Sequence, residues 1–103
     1  MFEDIDFLSG EVSFAFDEKI EDMLWVDYPN NYVLEMGWNG VVDGYAINIV
    51  RDSEWGVPVA KGFATNDEDM KKLLKKAIEK VEYESKRNKS HQGPLWKTEI
   101  IEL

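Results

Sequence analysis

The side chains able to do chemistry are few in kind. There is no Cys, so thiolate nucleophiles, disulfides and Cys-based metal sites are excluded. The single His, His91, sits in Lys89-Ser90-His91-Gln92-Gly93-Pro94, a loop rich in breakers. A lone loop His is more often a surface residue than a general base, and no local motif places a nucleophile beside it. Asp4-x-Asp6 and Asp67-Glu68-Asp69 are short carboxylate clusters without the length or the Gly of a calcium loop. The second cluster is already explained by the start of a helix. With 21 acids in the chain, any carboxylate pair suited to acid/base work is uninformative. The glycines form no phosphate-cradling loop before a helix, and Gly62 is followed by an acidic first turn that repels phosphate. The expectation is a protein with no catalytic, cofactor or metal residues, and not an enzyme.

The aromatic residues are more informative. Trp25, Tyr28, Trp38 and Trp55 fall at or next to turns, where exposed anchors would sit. Asp22 and Asp27 lie near Trp25, and Asp52 and Glu54 lie beside Trp55. Any one of these Trp residues is more often core than anchor. Together, an acidic surface carrying Trp and Tyr has the composition of a protein-binding hot spot for a basic partner.

The charge distribution points the same way. Net charge is −9 over 103 residues, and residues 1–27 hold nine acids against Lys19 alone. Residues 65–103 are nearly balanced, with eight acids and nine bases. The plainer reading is a solvated surface; the sharper one is a field that steers a basic partner. The sign disfavours direct binding to nucleic acid. Met1-Phe2-Glu3-Asp4 is acidic where a signal peptide is basic, and no apolar run reaches spanning length. A cytoplasmic protein with no membrane contact is expected.

The elements that must position these residues centre on a helix over about 66–88. Met70, Leu73, Leu74, Ala77, Ile78 and Val81 form one apolar stripe of period near 3.6. Thr65-x-x-Glu68 has capping-box spacing. Acids at the start and Lys86 and Arg87 at the end complement the dipole. Upstream, residues 1–10 read equally as a short strand or one helical turn. Glu11 to Phe16 reads as a half-buried strand with Val12, Phe14 and Phe16 on one face. Asp17-Glu18-Lys19 is a turn or a helix start, and Ile20, Met23 and Leu24 suit either a short helix or a strand continuing through Trp25 and Val26.

Tyr28-Pro29-Asn30-Asn31 is a turn, since Pro fixes φ and Asn tolerates left-handed backbone. Tyr32 to Trp38 is a strand with Tyr32, Leu34 and Met36 on one face. Asn39-Gly40 and Asp43-Gly44 are favoured two-residue hairpin dipeptides. Tyr45 to Arg51 is a strand with Tyr45, Ile47 and Ile49 toward the core. Trp55 to Phe63 reads as a further strand, irregular or at an edge because of Pro58. Residues 95–103 read as a terminal strand. The sum is one domain, 1–103, of class α+β: a two-layer, mainly antiparallel sheet of about five to six strands against one long helix.

The stretch Tyr45-Ala46-Ile47-Asn48-Ile49-Val50-Arg51-Asp52-Ser53-Glu54-Trp55-Gly56-Val57-Pro58-Val59, the helix after it and the ending Gly93-Pro94-Leu95-Trp96 give the chain a resemblance to a known group. In this style, and in being small, Cys-free and acidic, it resembles the immunity proteins of bacterial polymorphic toxin and contact-dependent growth inhibition systems. The resemblance implies a function: binding a cognate toxin domain, often a basic nuclease, and blocking its active site. Asp17, Glu18, Glu21, Asp22 and Asp27, with Asp52 and Glu54, would then face the partner's Lys and Arg, and Trp25, Tyr28 and Trp55 would be its anchors. The alternative is a small regulatory or ligand-binding domain whose acidity serves only solubility.

Overall fold

A computed structural model of the protein describes residues 1–87 and 101–103. The strands are β1 (Glu11–Ala15), β2 (Leu24–Tyr28), β3 (Tyr32–Asn39), β4 (Gly44–Arg51), β5 (Ala60–Ala64) and β6 (Ile101–Glu102). One helix, α1 (Asp67–Ser85), lies between β5 and β6. The six strands form one sheet in sequence order. β1 to β5 pair antiparallel, because their connections are too short for a crossover. β6 follows the helical crossover and pairs parallel to β5. The expected α+β two-layer class is what the chain adopts. Of the expected terminal strand 95–103, Ile101–Glu102 is strand; residues 88–100, with His91 and Trp96, lie outside the described residues.

Alternation sets which side of the sheet meets the helix. Leu24, Val26 and Tyr28 of β2, Leu34 and Met36 of β3, and Ile47 and Ile49 of β4 are cross-strand neighbours on one side. They form the core with Met70, Leu74, Ala77, Ile78 and Val81 of α1. Leu73, on the flank of the stripe, is only partly buried. It reaches the sheet at Gly62, where an added Cβ would lie 2.9 Å from a Leu73 methyl.

The helix ends differ from the capping-box expectation. Asn66, not Thr65, is the N-cap: its Oδ1 accepts from the Asp69 amide at 2.8 Å. Asn outranks Thr at this position, and the box geometry is not used. The helix stops at Ser85 rather than 88, with Lys86 as C-cap. The Ser85 carbonyl accepts from Asn30 Nδ2 at 2.6 Å. Asn30 and Asn31 both have positive φ in the Pro29–Asn31 turn, so the left-handed tolerance of Asn builds a turn that also caps the helix.

Other expectations give way to backbone chemistry. Residues 1–10 are neither strand nor helix; Phe2, Ile5 and Phe7 pack against the core in turns, and the Phe7 carbonyl accepts from the Tyr28 hydroxyl at 2.8 Å. In β1, Val12 pairs with Val26 but Phe14 pairs with Trp25, so a bulge at Ser13 reverses the alternation. Val12 and Phe14 therefore point to opposite faces, and most of β1 is exposed instead of half-buried. Asn39-Gly40 does not close a two-residue hairpin. Gly40 to Asp43 form the loop, the Asn39 side chain accepts from the Val41 amide at 3.0 Å, and Asp43 takes the positive φ. The strand expected over 55–63 begins only at Ala60, since Pro58 has no N–H for a ladder. The segment 17–23 is irregular, and Leu24 opens the strand alternative.

Just before β2 the chain stays bonded to β3 but bulges over it. Met23 donates to the Met36 carbonyl at 2.9 Å, and Trp38 donates to the Ile20 carbonyl at 2.8 Å. Glu21 and Asp22 are bulged out between these bonds, directly over Gly37. A Cβ at Gly37 would sit 1.7 Å from the Glu21 carbonyl oxygen, a distance no relaxation of side chains relieves. Gly37→Ala is expected to destabilise the protein by about 2–4 kcal/mol in chemical denaturation, through forced backbone displacement. Asn66→Ala is expected to cost about 1 kcal/mol, and Thr65→Ala much less; the reverse order would restore the capping box.

Candidate functional site

The sheet face opposite the helix carries a different set of residues. Trp25, Glu35, Asn48 and Lys61 are successive cross-strand neighbours on it, and Phe14 adjoins Trp25. The β4–β5 loop returns over this face: Asp52 and Ser53 adopt positive φ, and Trp55 lands against Trp25. The two indole centroids are 5.2 Å apart at 45°. Phe14 lies 6.3 Å from Trp25 and 5.4 Å from Phe16, so the row of aromatics continues to the sheet edge. Trp25 is held in its rotamer by a bond from Nε1 to Asp27 Oδ1 at 3.1 Å, and Asp27 also accepts from Ser13.

Beside this row is a cleft of about 620 Å³. Trp25 and Trp55 line it with Glu21, Asp22 and Glu35, and Gly37 and Ala46 keep its floor low. Glu35 lies across from Asn48, whose Nδ2 donates to Glu35 Oε1 at 2.6 Å. Burial raises the Glu35 carboxyl above its usual range; the Asn48 bond opposes this, and the charge of Asp22 adds to it. The Trp38 ring is in step with Leu34 and Met36 on the helix side, where it meets Tyr45 edge-on at 5.0 Å and Lys19 Nζ stands 4.6 Å from its centroid.

Of the residues expected to bind a partner, the structure brings Glu21, Asp22, Trp25 and Trp55 together around this cleft. Asp27 serves as the support of Trp25, and Glu54 is exposed in the loop that carries Trp55. Asp17 is engaged by the Met1 ammonium at 3.1 Å, and Asp52 accepts from Asn31 Nδ2 at 3.3 Å. Glu18 is exposed but does not line the cleft. Tyr28 is corrected: it is 5 % exposed on the helix side of the sheet, so it is a core residue and not an anchor. Its place beside a turn suggested exposure, yet its position in β2 puts it in step with Leu24 and Val26.

Glu35 and Asn48 were not among the expected site residues, and Trp38, placed by the sequence where an anchor could sit, packs its ring against the core. Alternation placed Glu35 opposite Leu34 and Met36, which marks the open face, but nothing local shows that a loop 20 residues away will wall it in. Among the described residues no group of three or more His, Cys, Asp or Glu is placed to hold a metal ion. Among them, too, no helix is long and apolar enough to cross a membrane. Comparison with protein-family models, curated proteins and solved structures finds no match.

The sign of the Glu35 effect is testable. Its native carboxyl holds a proton more tightly than the unfolded chain does, so ionising it costs stability as pH rises above the unfolded value of about 4.3. Glu35→Gln keeps an acceptor for Asn48 and removes the charge. The variant is expected to melt above the wild type at pH 7, with the difference closing toward pH 4. A wild type that melts higher at pH 7 would show that the ionised carboxylate is stabilised where it sits.

Proposed function

We propose that this protein is a non-enzymatic inhibitor, an immunity protein that binds a basic toxin domain in the cytoplasm and covers its active site. The observation that carries the reading is the Trp25–Trp55 pair set in one concavity with Glu21, Asp22 and Glu35. Large rigid aromatics beside carboxylates are what a surface needs to anchor a basic protein: the rings supply buried area and the charges supply orientation. A nuclease presents Lys and Arg where it holds phosphates, and a carboxylate-rich face competes for the same groups.

The charge layout supports this. The outer face of α1 exposes Lys71, Lys72, Lys75 and Lys76, while the uncovered face of the sheet carries the acids around the cleft. The net charge of −9 attracts a basic partner to the molecule as a whole, and the carboxylates around the cleft favour its docking there. Electrostatics of this kind acts on association rate, and the anchors act on dissociation rate.

A second reading is favoured by the cleft volume, which lies in the range of small-molecule sites. In it the protein is a regulatory domain that takes a small ligand on the sheet.

The two readings separate in one experiment. The protein is used as bait at low and high salt, and the captured protein is purified and assayed for nuclease activity with and without bait. Stoichiometric inhibition, an association rate that falls with salt, and a dissociation rate raised about tenfold or more by Trp25→Ala or Trp55→Ala are expected. Affinity unchanged in both Trp variants would remove the cleft from the interface. Absence of inhibition of a toxin domain encoded beside this gene would overturn the immunity reading.

A further inference from the structure

We propose that the cleft on the open sheet face receives the guanidinium group of an arginine side chain from the partner, stacked on the Trp25–Trp55 pair and bonded to Glu35. This rests on reading that face as the docking surface for a basic protein. Three features of the cleft carry the assignment.

The first is the mixture of walls. Indole faces and carboxylates line the same concavity, and a planar, weakly hydrated cation is the group that satisfies both. A guanidinium stacks flat on an aromatic ring while its edge N–H groups reach carboxylate oxygens; an ammonium is compact and more strongly hydrated, and gives up more on entering. The second feature is unspent capacity. Asn48 occupies one oxygen of Glu35. Among the described residues no donor reaches the other oxygen, and none of Glu21, Asp22 and Glu35 has a cationic partner. Asp22 acts on Glu35 as a like charge, and an arriving cation relieves that repulsion.

The third feature is an aromatic surface left uncovered. The Trp25–Trp55 pair has no cation over it among the described residues: the cation–ring contacts there are Lys19 on Trp38 and Arg87 on Tyr83. Trp55 is 46 % exposed. An arginine on the Trp25–Trp55 pair would cover that surface.

The test needs no partner. The full protein, with its Trp indoles labelled by ¹⁵N, is titrated with N-acetyl-arginine amide, N-acetyl-lysine amide and the neutral isostere N-acetyl-citrulline amide. The Trp25 and Trp55 Nε1–H signals are followed. Saturable shifts with arginine are expected, roughly fivefold weaker binding with lysine, and none with citrulline. Glu35→Gln is expected to weaken arginine binding about tenfold, and Glu68→Gln on the helix to leave it unchanged. Equal shifts from citrulline, or equal losses from both substitutions, would overturn the assignment. If arginine does not bind while the Trp variants still lose the partner, the arginine assignment fails and the docking face stands. If the partner binds both Trp variants normally, the docking reading itself fails, whatever arginine does.

Discussion

A single helix can cover only one face of a sheet, and this constraint organises the rest of the molecule. The stripe Met70, Leu74, Ala77, Ile78 and Val81 is satisfied by the Leu, Ile, Val and Met residues of β2, β3 and β4. Burial of these side chains, each worth about 1.5–3 kcal/mol against exposure, is the main stabilising term. The same pleat that turns those residues inward turns Trp25, Glu35 and Asn48 to the other side. Among the described residues no second helix covers them. The open face must be held by local means.

Those means are the two loops that fold back on it. Gly37 lets the Glu21–Asp22 backbone pass over β3, and positive φ at Asp52 and Ser53 turns Trp55 onto Trp25. Neither loop seals the face; each supplies one wall of a cleft. Polar groups left inside must then be paired, and among the described residues Glu35 is paired with Asn48 alone. A half-buried carboxylate with one neutral partner and an acidic neighbour costs stability when ionised, and the proposed arginine site would offset that cost.

Both faces carry acids, and on the helix they alternate with bases. Lysines lie on the solvent side of α1, where they pair within the helix, as in Lys72 with Glu68 at 3.4 Å. Such exposed pairs contribute little to stability. Acids of the N-terminal segment, which is tied to α1 through Ser9 and Glu82, lie on the helix side as well, so what distinguishes the open face is its contact chemistry.

The class of the fold was legible in the sequence, because helix and strand periodicities are local. The stripe of α1, the inward sets Tyr32-Leu34-Met36 and Tyr45-Ile47-Ile49, and the Pro29-Asn30-Asn31 turn all follow from neighbours a few residues apart. Excluding thiol chemistry and finding the acidic, Trp-bearing character of the first half needed only composition. What tertiary structure decided were features that depend on contacts distant in the chain. Ser13 reverses the face of Phe14 only in the register that β1 adopts against β2. Asn66 displaces Thr65 as cap through local geometry, but Asn30 caps the other end across 55 residues. Tyr28 became core and Glu35 became the floor of a cleft for the same reason. A residue's face is set by its own strand, whereas its exposure is set by what else in the chain comes to lie on that face.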